Sequence, residues 1–194
     1  MADNAVHIIG GKWKGRKLRF PAANGLRPTL GRTRESLFNW LAGELHHARC
    51  LDLFAGSGAL GFEALSRGAA SMTFVEKNRN VATALKDNIE QLQAVNADVF
   101  SLPAKRFLPK ADAPWDIIFL DPPFASSEFQ EALDAIRQYD LLLPDGLVYF
   151  ERPRLSPLCL SDHWQVRKAA HAGETQFGLL APSRSQSSDH TLSA

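Results

Sequence analysis

Apolar positions along this chain recur in two rhythms, a short continuous run and a three-to-four residue spacing, and the two alternate from residue 50 onward. Cys50, Leu51, Leu53 and Phe54 form an apolar run broken only by Asp52, as expected of a strand covered on both faces in a parallel sheet. Ala55 to Gly61 then turns the chain, and Leu60, Ala64, Leu65 and the run to Gly68 predict a helix with a glycine stop. Met72 to Val75 reads as a second strand, followed by an amphipathic helix marked by Val81, Leu85, Ile89 and Leu92. Asp98 to Leu102 is a weaker third strand, Asp116 to Leu120 a fourth, and Gly146 to Phe150 a fifth, with a helix through Phe129, Leu133 and Ile136 between the last two. Trp164 to Ala169 and Thr175 to Leu180 are read as strands that pair as an antiparallel edge. Alternation of this kind predicts a doubly wound α/β sheet of seven strands, mostly parallel.

Upstream of this unit the pattern changes. Val6 to Gly11 and Lys17 to Phe20 predict two short strands around a glycine-rich basic turn, so residues 1–25 are expected to form an N-terminal β-hairpin appendage, with Trp13 as its apolar anchor. Leu37, Phe38, Trp40, Leu41 and Leu45 then repeat at helical spacing. The reading divides the chain into a basic hairpin arm (1–25), a main domain (26–181) and a polar, small-residue tail (182–194) expected to be disordered.

Charge sharpens this division. The net charge of +1 hides eight Lys or Arg among residues 1–40 against Asp3 and Glu35, while the remainder carries fourteen basic and nineteen acidic groups. Lys12, Lys14, Arg16, Lys17, Arg27, Arg32 and Arg34 are therefore either candidate contacts for nucleic-acid phosphates, Arg32 and Arg34 at the positive end of the first helix, or a solvated, solubilising face. There is no apolar run of about 18 residues to span a bilayer and no secretory pattern at the N-terminus. Two cysteines, Cys50 and Cys159, make neither a disulfide framework nor a metal cluster, and the six histidines lack ligand spacing. A reducing cytoplasm and a metal-independent activity are expected.

Two stretches carry candidate chemistry. Gly56, Gly58 and Gly61 satisfy the G-x-G-x-x-G spacing that lets a backbone turn tightly, approach a ligand and pack the next helix on the sheet, and Glu76 lies where a ribose-binding carboxylate would. That signature alone fits NAD and FAD as well as other nucleotide ligands. The discriminating element is Asp121-Pro122-Pro123-Phe124 at the carboxyl end of the fourth strand. Prolines remove backbone donors and leave carbonyls aimed at the cleft. A carboxylate, such carbonyls and an aromatic face suit a planar ring bearing an exocyclic amine. The amine lone pair is delocalised into its ring, and acceptors at its N–H groups favour the charge that develops as it reacts. Asp121 and the Pro122 carbonyl are the candidate acceptors, Phe124 the stacking face, and Asp121 or water the proton acceptor.

On these residues, together with the flanking IIGGKWKGRKL and LRPTLGRTRESLFNWL, residues 6–180 resemble the RsmD family of class I S-adenosylmethionine-dependent methyltransferases, which methylate N2 of one guanine in bacterial 16S ribosomal RNA. The resemblance implies a Rossmann-like class I methyltransferase fold. It implies that Asp52, Phe54, Ala55, Gly56, Ser57 and Gly58 hold the methionine end of the cofactor, that Glu76 holds the ribose hydroxyls, and that Asp121, Pro122 and Phe124 hold the target guanine. Such enzymes often place an Asp or Asn after the third strand for the adenine amino group. Here the segment is Ser101-Leu102-Pro103-Ala104, so the Ser101 hydroxyl or the Ala104 backbone would substitute. The implied partner is 16S ribosomal RNA within the 30S subunit or an assembly intermediate, met by a monomer. An N6-adenine or N4-cytosine methyltransferase stays open, because the Asp-Pro-Pro-Phe segment contacts an amine without naming the ring, as does a noncatalytic dinucleotide- or RNA-binding module. C5-pyrimidine methylation is disfavoured, since neither cysteine stands in a Pro-Cys context.

Overall fold

The computed structural model describes residues 3–21, 31–112, 114–123 and 127–183. The apolar runs become strands and the spaced patterns become helices. In chain order these are β1 (Asp3–His7), β2 (Lys17–Pro21), α1 (Gly31–Trp40), β3 (Arg49–Asp52), α2 (Ala59–Ser66), β4 (Ser71–Val75), α3 (Arg79–Leu92), β5 (Ala97–Phe100), α4 (Ala104–Phe107), β6 (Trp115–Leu120), α5 (Glu128–Gln138), β7 (Leu142–Pro153), β8 (Trp164–Ala172) and β9 (Thr175–Pro182). One sheet holds seven strands in the order β5-β4-β3-β6-β7-β9-β8. Its first five are parallel, and β9 runs antiparallel to both β7 and β8. The architecture is an α/β Rossmann-like fold with an N-terminal hairpin. The order in which successive strands are added reverses between β3 and β6, which opens a crevice at their carboxyl ends.

Local chemistry explains the boundaries. Asn78 caps α3 by accepting from the amides of Asn80 and Val81, and β5 stops at Phe100 with Pro103 close behind. The first helix ends at Trp40 rather than running through Leu45. Leu41 and Leu45 are still fully buried, carried by a turn that contains Gly43, a poor helix former. Every residue of α2 is buried, and Gly61 is what lets it lie so close to the sheet. A Cβ there would stand 2.2 Å from the Phe74 ring.

Apolar side chains pack both faces of the sheet. One face carries Leu37 and Phe38 of α1, Phe62 of α2, Leu85 of α3 and the hairpin residues Val6, Ile8, Trp13, Leu18 and Phe20. The other carries Phe107, Leu108, Leu133 and Ile136 beneath α4 and α5. The hairpin is thus docked, with Trp13 8% exposed as its anchor. Polar contacts fix its register on the helices. The Asn88 side chain of α3 accepts from the Arg19 amide at 3.1 Å and donates to the Arg19 carbonyl at 2.8 Å, in the manner of a neighbouring strand. Ser66 accepts from the Trp13 amide at 2.9 Å and donates to the Gly10 carbonyl at 2.6 Å. The expected boundary at residue 25, and residues 184–194 of the expected tail, lie outside the described residues. No described helix is long and apolar enough to cross a membrane.

Candidate active site

The crevice is built from four strand ends. At the end of β3, Asp52 is 3% exposed, and its carboxylate takes hydrogen bonds from the amides of Phe54 and Gly61, which ties the glycine turn to the strand. Desolvation pushes its pKa up to about 7, reinforced by the charge of Glu76 and opposed by those two amides. Gly58 takes the left-handed conformation, φ 74°, at the head of α2, and Gly56 does so at φ 50°. Both values exact a cost from any residue with a Cβ. The turn is held in place by the Leu53 amide on the Phe119 carbonyl, 3.1 Å, and by the Ala55 amide on the Val75 carbonyl, 3.0 Å.

Glu76 follows β4 and closes the turn from the side. Its Oε2 accepts from the Gly56 amide at 2.9 Å and its Oε1 from the Asn78 amide at 2.7 Å. Each oxygen keeps a second lone pair for a ligand hydroxyl. Phe54 is half-buried, Ala55, Ser57 and Ala104 are buried, and Ser101 is exposed. Phe54 and Ala104 also line a cavity of about 310 Å³ between α4 and α5, floored by Leu108 and Ala132 and rimmed by Lys105, Glu128, Glu131 and Asp134.

Across the reversal point, β6 delivers Asp121, half-buried, followed by buried Pro122 and exposed Pro123. Desolvation holds the Asp121 carboxyl well above the usual carboxylate range, and the charges of Glu151 and Asp52 push it the same way. Phe124, the expected stacking face, lies outside the described residues. Asp52, Gly56, Gly58, Glu76 and Asp121 therefore share one rim, as their places at strand ends require. Beside them stand two groups that sequence reasoning passed over. The Tyr149 hydroxyl donates to Glu151 Oε2 at 3.1 Å, both residues being buried on β7 next to β6. Burial raises the Tyr149 pKa, with Glu151 and then Asp121 adding to it. The available signal was a carboxylate directly following the apolar strand Gly146 to Phe150, on the same edge of the sheet as Asp121.

The basic residues separate into two groups. Lys12, Lys14, Arg16, Lys17 and Arg32 are exposed. Lys12 Nζ sits 4.3 Å from the centre of the Trp13 ring, and Arg16 Nη2 donates to the Gln91 carbonyl at 3.1 Å. Arg34 corrects the expectation that it meets RNA. It is 3% exposed, its Nη2 donates to the His7 carbonyl at 3.0 Å, and its Nη1 is 3.9 Å from Glu63 Oε2. Burial draws its pKa down, with Glu63 opposing and Arg67 reinforcing. The cause is Glu63, a fully buried carboxylate within apolar α2 that gathers Arg34, Arg67 Nε at 2.7 Å and the Ile9 amide at 2.8 Å. Arg27 lies outside the described residues. Cys50 is buried, and burial, with Asp116 and Asp52 nearby, pushes its thiol far up, so it is no thiolate.

A family model described as Conserved hypothetical protein 95 matches residues 6–181. Ribosomal RNA small subunit methyltransferase D of Escherichia coli strain K12 is 42% identical over 175 residues, 90% of this chain and 88% of that protein. The protein of the same name from Haemophilus influenzae is 40% identical over 182 residues, 92% of this chain and 94% of that one. The solved structure of yhhF from Escherichia coli superimposes with a TM-score of 0.85 at 39% identity, covering 94% of this chain and all of that one. A match of this length, on a fold with both glycine turn and Asp-Pro-Pro segment at one rim, means that the chain belongs to the ribosomal RNA small subunit methyltransferase D family.

Proposed function

We propose that this chain transfers a methyl group from S-adenosylmethionine to the exocyclic N2 of a guanine in 16S ribosomal RNA of the small subunit. The observation that carries the reading is the pairing of an Asp-Pro-Pro strand end with a glycine turn across one crevice, in a chain whose relatives are named ribosomal RNA small subunit methyltransferase D. The residues present fit the cofactor. Glu76 has acceptor capacity for a diol, Gly56 and Gly58 keep side chains out of the turn, and half-buried Phe54 and Leu102 offer apolar surface near Ala104. Asp52, with its raised pKa, is a carboxylate that an ammonium group would bring back to its charged form.

When bound, S-adenosylmethionine supplies an electrophilic methyl group on a sulfonium, whose carbon–sulfur electron pair stays with sulfur in the product S-adenosylhomocysteine. The chain's own work is placement and charge. The Asp121 carboxylate and the Pro122 carbonyl accept from the two N2 hydrogens, so the nitrogen lone pair is turned toward the methyl group. Asp121 or water then takes the proton that N2 gives up. Phe124 stacks on the guanine, which leaves its RNA stack to reach the cleft. Ser101 and Ala104 bound the adenine, and the exposed Lys12, Lys14, Arg16, Lys17 and Arg32, with Arg27, meet phosphates. The enzyme acts as a cytoplasmic monomer on the 30S subunit or an assembly intermediate, with a basic hairpin arm, bounded at residue 25, ahead of the methyltransferase domain.

Transfer of labelled methyl to small-subunit RNA from cells lacking the enzyme, offered naked and as 30S particles and followed by nucleoside analysis, tests the reading. N2-methylguanine, with the particle as the better substrate, is expected. Methyladenine or methylcytosine as the product overturns it.

A further inference from the structure

The proposed transfer leaves one buried carboxylate at the crevice without a task. In the register of β6 and β7, Phe119 lies beside Tyr149 and Leu120 beside Phe150, so the next step brings Asp121 alongside Glu151. Strand alternation puts Asp121 and Glu151 on the sheet face shared by Phe119 and Tyr149, whose rings meet at 6.3 Å. Among charges, that of Glu151 also presses hardest on Asp121. Two carboxylates side by side repel, and a ligand that brings donors to the pair relieves that repulsion.

The amine edge of guanine carries three donors in a row: the two hydrogens of N2 and N1–H. Adenine and cytosine also offer an amine, but the neighbouring ring nitrogen is an acceptor. Asp121 and the Pro122 carbonyl are already assigned to the N2 hydrogens. We propose that Glu151 is the residue that selects guanine, by accepting the N1–H of the base whose N2 faces Asp121. This rests on the guanine-N2 reading above. Against adenine or cytosine, Glu151 would instead face a lone pair, so the same carboxylate rejects both. Tyr149, donating to Oε2, fixes the Glu151 rotamer.

The test compares two RNAs that differ only at the target, located first by mapping the wild-type product: guanine, or 2-aminopurine, which keeps the 2-amino group and has a lone pair in place of N1–H. Wild-type protein is expected to favour guanine by about ten- to hundredfold in kcat/KM. Glu151→Gln, whose amide can turn a donor toward that lone pair, should bring the ratio to within a few-fold while S-adenosylhomocysteine affinity stays unchanged. Tyr149→Phe should give an intermediate ratio. Because each ratio is measured within one protein preparation, partial unfolding of a variant cancels. A ratio in Glu151→Gln equal to that of wild type overturns the assignment of Glu151. A wild-type product on adenine or cytosine overturns the functional reading instead.

Discussion

Asp52, buried, and Asp121, half-buried, both have raised pKa values, yet they are expected to fail differently when removed. Asp121→Ala should abolish methyl transfer while leaving S-adenosylhomocysteine affinity within a few-fold of wild type in calorimetry; equal loss of both would reassign the residue to the cofactor. Asp52 binds its proton more tightly in the folded chain, at about 7, than the unfolded value of about 3.9. Between these values the native state holds a proton that the unfolded chain has released. Stability from this group therefore falls as pH rises from about 4 to about 7, by up to about 1.4 kcal/mol per unit. Urea denaturation at pH of about 5 and about 7.5 should show the loss, and Asp52→Asn should remove that dependence. Asp121 was legible in sequence because two prolines after an apolar strand leave few structural readings. Arg34 was not, because its partner Glu63 lies on a different helix, and a pattern of basic residues does not show which of them the core absorbs.

At the scale of elements, α2 joins two functions in eight residues. Its first turn receives the glycine loop, and its last turn holds the hairpin through Glu63 and Ser66. Glu63→Gln would leave Arg34 and Arg67 without a buried counter-charge, at a cost of about 3 kcal/mol. A drop in Tm of roughly 6–12 °C is expected, with faster hydrogen exchange at the Ile9 amide. A Tm within about 1 °C of wild type would show that the charge cluster is dispensable. The strands and helices were readable from periodicity, since burial on one face or two writes itself into spacing. The docking of the hairpin was only half readable. Trp13 announced an apolar anchor, but Asn88 and Ser66 are ordinary polar residues until the fold sets them opposite a strand.

At the scale of the whole molecule, the switch in strand order places the glycine turn, Glu76 and Asp121 on one rim, which the order of elements already implied through the general behaviour of doubly wound sheets. The exposed charge is arranged differently. Reversing Lys14, Arg16 and Lys17 to glutamate should weaken RNA binding and reduce its salt slope by about two to three, with S-adenosylhomocysteine affinity unchanged. An unaltered RNA affinity would show that these side chains serve solubility alone.

The hairpin turn meets α2 and α3 at their last turns, through Ser66 and Gln91, whereas both helices start at the crevice. Gln91 stands thirteen positions after Asn78, about 20 Å along α3 at about 1.5 Å per residue. On the proposed reading, the protein would act as a caliper with one jaw at the extruded base and the other at a phosphate ridge. RNA that has not yet folded holds no fixed distance between such points, so on that reading the gap would select for architecture where the cleft would select for a base. Reversing the hairpin charges should accordingly slow methylation of a folded small-subunit particle and leave a short single-stranded oligonucleotide nearly unaffected.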